Sequence, residues 1–283
     1  MTNIPTAINP HAAHPTSFAA MVKSFWLNRS LIFTLAKRDV AGRYRGSIMG
    51  LAWSFFNPLL MLVIYTFVFS VVFKARWGIS MQEGKMDFAI MLFVGMIIHG
   101  LFAECVNRAP GLILSNVSYV KKVVFPLDIL SWVAFGSALF HAAISLVVLF
   151  VAQLIFMGHI PFTALLFPVV MLPLIVTTIG FAWFLSSLGV FIRDIGQITG
   201  IITTVLLFIS GVFFPINSLP EPYRLWLALN PLAMIIEEGR NVLILGKLPD
   251  PTNWCIMMVV GLFIAWAGFA WFQRTRKGFA DVI

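Results

Sequence analysis

The sequence predicts an all-α integral membrane protein. Six transmembrane helices follow an amphipathic helix at the membrane surface, and a helical segment between spans five and six enters the membrane and returns. Three observations carry this reading. Hydrophobic residues make up 60% of the 283 and charged ones only 11%, outside the range of soluble domains. Apolar runs approach or exceed the roughly 20 residues needed to cross hydrocarbon. The charges gather in short segments between those runs, and 28 Phe with nine Trp suit lipid contact and interfacial belts.

Residues 1–24 contain Pro, His and Asn but no continuous apolar core, so they are expected to form a flexible cytoplasmic tail rather than a cleavable signal. Residues 25–283 form the transmembrane domain. On a helical wheel Phe25, Ile32, Leu35 and Ala36 share one arc, with Lys37, Arg38 and Arg45 roughly opposite. Asp39 and Arg43 have the spacing of an i,i+4 ion pair. Two readings fit this basic helix. It anchors on anionic lipid, at about 1 kcal/mol per cation near the surface, or Lys37, Arg38, Arg43 and Arg45 receive a phosphate-bearing headgroup, whose oxygens Arg forks match. Gly46 and Gly50 then allow a tight bend into the first span.

The expected spans are Ala52 to Phe73, Phe88 to Phe102, Leu127 to Met157, Phe162 to Ile192, Gln197 to Phe214 and Asn253 to Phe272. The second is short unless its flanks are included. With six spans both termini share a side. That side holds thirteen of the nineteen Lys and Arg against five acids, and the other holds six against six acids, Lys74, Arg76, Lys85, Arg224 and Glu83 among them. The whole net charge of +8 therefore lies with the termini, which the positive-inside rule places in the cytoplasm. The charge is explained by topology, and no nucleic-acid signature accompanies it.

Tyr65, Phe69 and Phe73 on span one repeat every four residues and share a face, which suits sugar stacking or ordinary packing and lipid contact. His99 and His141 lie inside spans two and three, where imidazoles bonded to a neighbouring helix are expected in preference to a proton relay. Arg193 and Asp194 close span four. The loop Asn107 to Pro126 has helix-compatible apolar positions at Leu112, Ile113, Val117 and Val120, then Lys121 and Lys122. It is an interfacial connector or a docking knob for a soluble partner. The run Leu232 to Leu245 is too short to cross and carries Glu237, Glu238 and Arg240, so it is expected to dip into the outer leaflet and return, lining an interface or pore. Cys105 and Cys255 are too few for a disulfide framework and are expected to be free.

Enzyme signatures are missing. The sequence has no Cys/His metal spacing, no nucleophile elbow and no G-x-x-x-x-G-K-[ST] phosphate loop. ATP-driven transport would need a motor on another subunit.

The order of four pieces, RDVAGRYRGSIMGLAWSFFNPLLMLVIYTFVFSVVF, SYVKKVVFPLDIL, SGVFFPINSLP and NPLAMIIEEGRNVLILGK, resembles the ABC-2 transporter permeases that export O-antigen, capsule or teichoic-acid polysaccharides. The resemblance covers nearly everything after residue 25. It implies a homodimer in the bacterial inner membrane, paired with two copies of a P-loop ATPase that binds ATP and Mg. The cargo would be a polyprenyl-diphosphate-linked polysaccharide. It further implies that the helix with Lys37, Arg38, Arg43 and Arg45 is a gate near the lipid diphosphate. The segment with Asn116, Ser118, Tyr119, Lys121 and Lys122 would be the coupling helix seated in the ATPase. Tyr65, Phe69 and Phe73 would border the channel, and Glu237, Glu238 and Arg240 would shape the outer exit. Rival readings are an ABC-2 permease for a drug, peptide or other lipid, and a polytopic enzyme acting on polyprenyl-linked sugars.

Overall fold

The computed structural model describes residues 15–73, 77, 85–121, 125–215, 220–222 and 230–283, without the side chains of Ser70, Lys85 and Met86. Lys122, Lys74, Arg76, Glu83 and Arg224 lie outside the described residues. Among the described residues there is no strand.

Helix α1 (Phe18–Arg43) starts seven residues before the expected domain boundary, because Ser17 caps it by accepting from the Ala20 amide at 3.2 Å. Its apolar arc packs as the wheel predicts. Ile32 and Leu35, flanked by Phe25 and Ala36, meet Ile129 and Val133 on α5 (Ile129–Phe156). The expected Asp39–Arg43 pair does not form. Asp39 accepts from Arg108 at 2.8 Å and Arg43 pairs with Glu104 at 2.7 Å, both on α3 (Lys85–Arg108). The reason lies in matched spacing: Asp39/Arg43 and Glu104/Arg108 are each four residues apart with the acid first, and the two helices meet antiparallel, so each acid faces the other helix's arginine. Two partly buried cross-helix pairs therefore replace one exposed intrahelical pair.

Helix α2 (Trp53–Tyr65) runs into a π-helical turn, Thr66–Val72, and is largely exposed. Helix α3 is the central helix, touching α2, α5, α6 (Phe167–Phe191) and α7 (Ile195–Ile209). In the loop between α3 and α5, two 3-10 turns, Ala109–Gly111 and Leu114–Asn116, precede a four-residue helix α4 (Val117–Val120), which falls within the segment Asn116 to Lys122 expected to be a short helix. Pro110 lacks an amide hydrogen and Asn116 sits at φ −125°, ψ 37°, so no continuous helix forms. Buried Leu112 and Ile113 anchor the loop in the core.

Among the described residues five helical stretches are long and apolar enough to cross a membrane: Gly50–Phe69, Asp87–Gly111, Ile129–Phe156, Phe162–Phe191 and Pro251–Val282. The expected fifth span contributes only α7, fifteen residues long. Its helix ends at Ser210, and Gly211 turns the chain at φ +68°, a left-handed conformation that glycine adopts without steric cost. Helix α8 (Pro231–Leu243) follows. It is capped by Asn230, whose side chain accepts from the Leu232 amide at 3.0 Å and donates to Ser210 Oγ at 2.9 Å. Helix α9 (Pro251–Thr275) lies along α6, where Gly180 and Gly268 meet so closely that a Cβ on Gly268 would fall 2.1 Å from the Gly180 carbonyl oxygen. A short α10 (Phe279–Val282) folds Phe279 against Phe272 and Phe191.

Candidate functional site

The basic residues and the loop converge at one end of the bundle. Arg38 donates to the Tyr119 hydroxyl at 2.7 Å, so the basic helix touches the loop directly. Asp128, 3% exposed, accepts from Ser24 Oγ and lies 3.8 Å from Arg276, while its carbonyl accepts from Trp183 Nε1 at 2.8 Å. Arg276 also donates to the Phe125 carbonyl at 2.8 Å. One buried carboxylate thus ties the start of α1, the end of the loop and the chain's C-terminal segment together. Arg193 and Asp194 are exposed in the turn between α6 and α7.

Below the basic helix lies a polar cavity of about 280 Å³ among α2, α3 and α5. The chain enters α2 through Gly46 at φ +87° and Gly50 at φ +51°. A Cβ at either would meet nothing within 4 Å, so the left-handed turn and not lack of room requires glycine. This bend sets Arg43 and Tyr44 at the cavity edge. His141 Nδ1 lies 3.1 Å from both Glu104 oxygens, and Nε2 lies 3.0 Å from the Tyr44 hydroxyl. A neutral imidazole satisfies both if Nδ1–H donates to the carboxylate and Nε2 accepts from tyrosine. Burial first of all pushes the Tyr44 hydroxyl above its ordinary pKa, with Arg43 pulling the other way, so it remains a donor. Ser54, Asn57, Met61 and Tyr65 line the cavity along one face of α2.

The residues singled out from the sequence separate in space. Arg38 and Tyr119 meet, and Arg43 joins the cavity. Lys37 and Arg45 are exposed and make no ion pair among the described residues. Ser118 and Lys121 are exposed at the loop, and the Asn116 side chain donates to the Leu112 carbonyl at 2.9 Å. The expected aromatic stripe forms, with Tyr65 and Phe69 ring centroids 6.5 Å apart and Phe69 and Phe73 5.8 Å apart. Tyr65 lines the cavity, Phe69 packs against Phe88 and Phe213 with centroids 5.8 Å away, and Phe73 is 67% exposed.

Arg240 is 1% exposed and holds backbone. It donates to the carbonyls of Met91 at 3.0 Å, Gly211 at 2.8 Å and Val212 at 2.9 Å, with its guanidinium 4.3 Å from the Trp77 ring centroid and Glu237 at 3.6 Å. Glu238 accepts from the Asp250 amide at 3.3 Å, and burial pushes its carboxyl above the usual range. His99 bonds the Thr203 carbonyl at 2.9 Å, the interhelical role expected of it. Both cysteines are free.

Glu104, His141, Tyr44 and Asn57 were not singled out as site residues by the sequence. The reciprocal four-residue spacings of Asp39/Arg43 and Glu104/Arg108 were the signal available for the first of these.

The ABC-2 type transporter profile matches residues 30–244, from within α1 to just past α8. The chain belongs to the ABC-2 type transporter family. As an ABC-2 transporter it is a transport subunit and not itself an enzyme, and its family membership implies a multi-pass inner-membrane protein that uses ATP through a partner ATPase. It is similar to an O-antigen export system permease protein of Myxococcus xanthus, 26% identical over 265 residues that cover 93% of this chain and 99% of that protein. A Klebsiella pneumoniae O-antigen export system permease protein is 24% identical over 257 residues, 89% of this chain and 95% of its own. A capsule polysaccharide export inner-membrane protein of Neisseria meningitidis serogroup B is 27% identical over 271 residues, 94% and 98%.

Proposed function

We propose that this chain is the membrane subunit of an ATP-binding cassette exporter that moves a polyprenyl-diphosphate-linked polysaccharide, O-antigen before capsule, across the bacterial inner membrane. The observation that carries the reading is near full-length similarity to polysaccharide export permeases, two of the three named above being O-antigen permeases. Two copies of the chain work with two P-loop ATPase subunits, which bind the ATP and Mg. Both termini, the basic helix and the loop after α3 face the cytoplasm, and α7 completes a sixth crossing together with its non-helical continuation.

In this reading α1 lies at the inner membrane surface and its unpaired Lys37 and Arg45, with Arg38, draw the anionic lipid headgroup to the channel mouth. Asn116, Ser118, Tyr119, Lys121 and Lys122 seat in the ATPase. The 2.7 Å bond from Arg38 to Tyr119 supports a direct mechanical link between these two parts. Tyr65, Phe69 and Phe73 border the conduit, and α8, with Glu237, Glu238 and Arg240, shapes the outer side.

Deleting the gene and following surface polysaccharide by glycan gel tests the proposal. Loss of surface glycan with lipid-linked polymer accumulating inside is the expected result. Undiminished surface glycan contradicts it.

A further inference from the structure

We infer that the cavity between α2, α3 and α5 binds one neutral, polyhydroxylated ring, a single sugar unit of the carried polymer, and not the phosphates of its lipid anchor. The inference rests on the proposed export function and adds where, and through which chemistry, this chain holds the glycan.

Charge decides between the two ends of such a substrate. Arg43 and Glu104 are the arginine and the carboxylate of the lining, and joined at 2.7 Å they cancel one another's charge. A phosphate would have to take Arg43 from Glu104 and would then sit beside a bare carboxylate. A hydroxyl has neither difficulty, because it donates to Glu104 and accepts from Arg43 in their present arrangement.

Unused hydrogen-bonding capacity points the same way. The Asn57 amide and the Tyr65 hydroxyl line the cavity from a membrane-crossing helix and make no hydrogen bond with the described residues. Asn57 is exposed and Tyr65 half-buried, and the two offer both donors and acceptors toward the cavity, which suits hydroxyls. Between them Phe93 and Met61 present apolar surface to the C–H face of a ring. About 280 Å³ lies just below the range of roughly 300–1,000 Å³ typical of small-ligand sites, enough for one sugar unit and too little for a coiled polymer.

The test places photoreactive p-benzoylphenylalanine at position 57, in the full transporter, in cells whose glycan carries a tritiated sugar. The control is position 63, where exposed Val63 lies on another face of α2. The expected result is a sugar-labelled adduct at 57, at least several-fold stronger than at 63. If the position-57 variant does not assemble, position 61, one turn on along the same face, is used and the same result is expected. An adduct to a second copy of this chain, to phospholipid without sugar, or equal labelling at 63 overturns the inference. Glu104→Gln adds a separate measure. Removing the carboxylate weakens sugar labelling several-fold if the site takes hydroxyls, and strengthens capture if it takes phosphate, which would overturn the inference. Export lost on gene deletion without a sugar adduct refutes this site alone, while export that survives deletion refutes the proposed function beneath it.

Discussion

Arg240 holds the backbone where α7 ends, close to α3 and α8. Three carbonyls, two of them in the non-helical Gly211–Val212 stretch, depend on its guanidinium. Irregular backbone at membrane depth survives only where protein satisfies it. Arg240→Ala removes the donor that Gly211 and Val212 share outside any helix, along with the bond to Met91, and is expected to destabilise the protein by about 3 kcal/mol or more. Thermal unfolding in detergent checks this, with Arg240→Lys recovering only part because an ammonium lacks the fork. The sequence marks Arg240 as out of place in an apolar run, yet its partners lie 149, 29 and 28 residues away, and no spacing rule links them. Lys37 and Arg45 are the opposite kind of residue, exposed and without an ion pair among the described residues. Reversing both to Glu is expected to cut export at least tenfold while the complex with the ATPase still purifies intact, because each cation near the surface contributes about 1 kcal/mol toward an anionic headgroup. Wild-type export in that double variant contradicts the headgroup role. Arg43 is a poor choice for the same experiment, since its reversal also breaks the Glu104 pair.

At the scale of elements, helix existence was legible and helix continuity was not. The helix α1 and, among the described residues, five long apolar helices follow from apolar periodicity and run length, which are local properties of the chain. The fifth expected run is as apolar as the others, but Gly211 breaks it after fifteen helical residues, about 22 Å at 1.5 Å each against roughly 30 Å of hydrocarbon. A glycine turn and a continuing helix read alike until the tertiary partner of the freed carbonyls is known. In the loop after α3 the short helix Val117–Val120 was legible, but the turns leading into it were not. The loop's apolar residues have helical spacing, but Leu112 and Ile113 are buried as anchors while Pro110 sits flush on α6. A Cβ on Gly189 would fall 2.2 Å from the Pro110 carbonyl oxygen, so Gly189→Ala must push this loop away. Co-purification of the ATPase is expected to fall several-fold in that variant, with insertion in the membrane retained. Gly42→Ala, whose Cβ meets nothing within 4 Å, is the matched control and is expected to behave as wild type. Equal ATPase recovery in both would separate the loop from coupling.

The molecule as a whole presents two unlike ends and unevenly covered sides. Ion pairs and buried polar links bind α1, the loop and the C-terminal segment at one end, with Arg38–Tyr119 joining α1 to the loop and Asp39–Arg108 joining α1 to the end of α3. Exposed apolar side chains run along α2 and α7, among them Leu60, Val63, Ile201 and Phe208. Lipid or a second copy of the chain covers such faces, and the proposed dimer uses them. The cavity opens beside α2, so the inferred sugar site would adjoin a largely exposed helix. The most direct measurement is the intact mass of the complex released from native membrane in mild detergent. The account predicts two copies of this chain with two of a P-loop ATPase. A chain recovered alone from several detergents, with no ATPase activity, would contradict it.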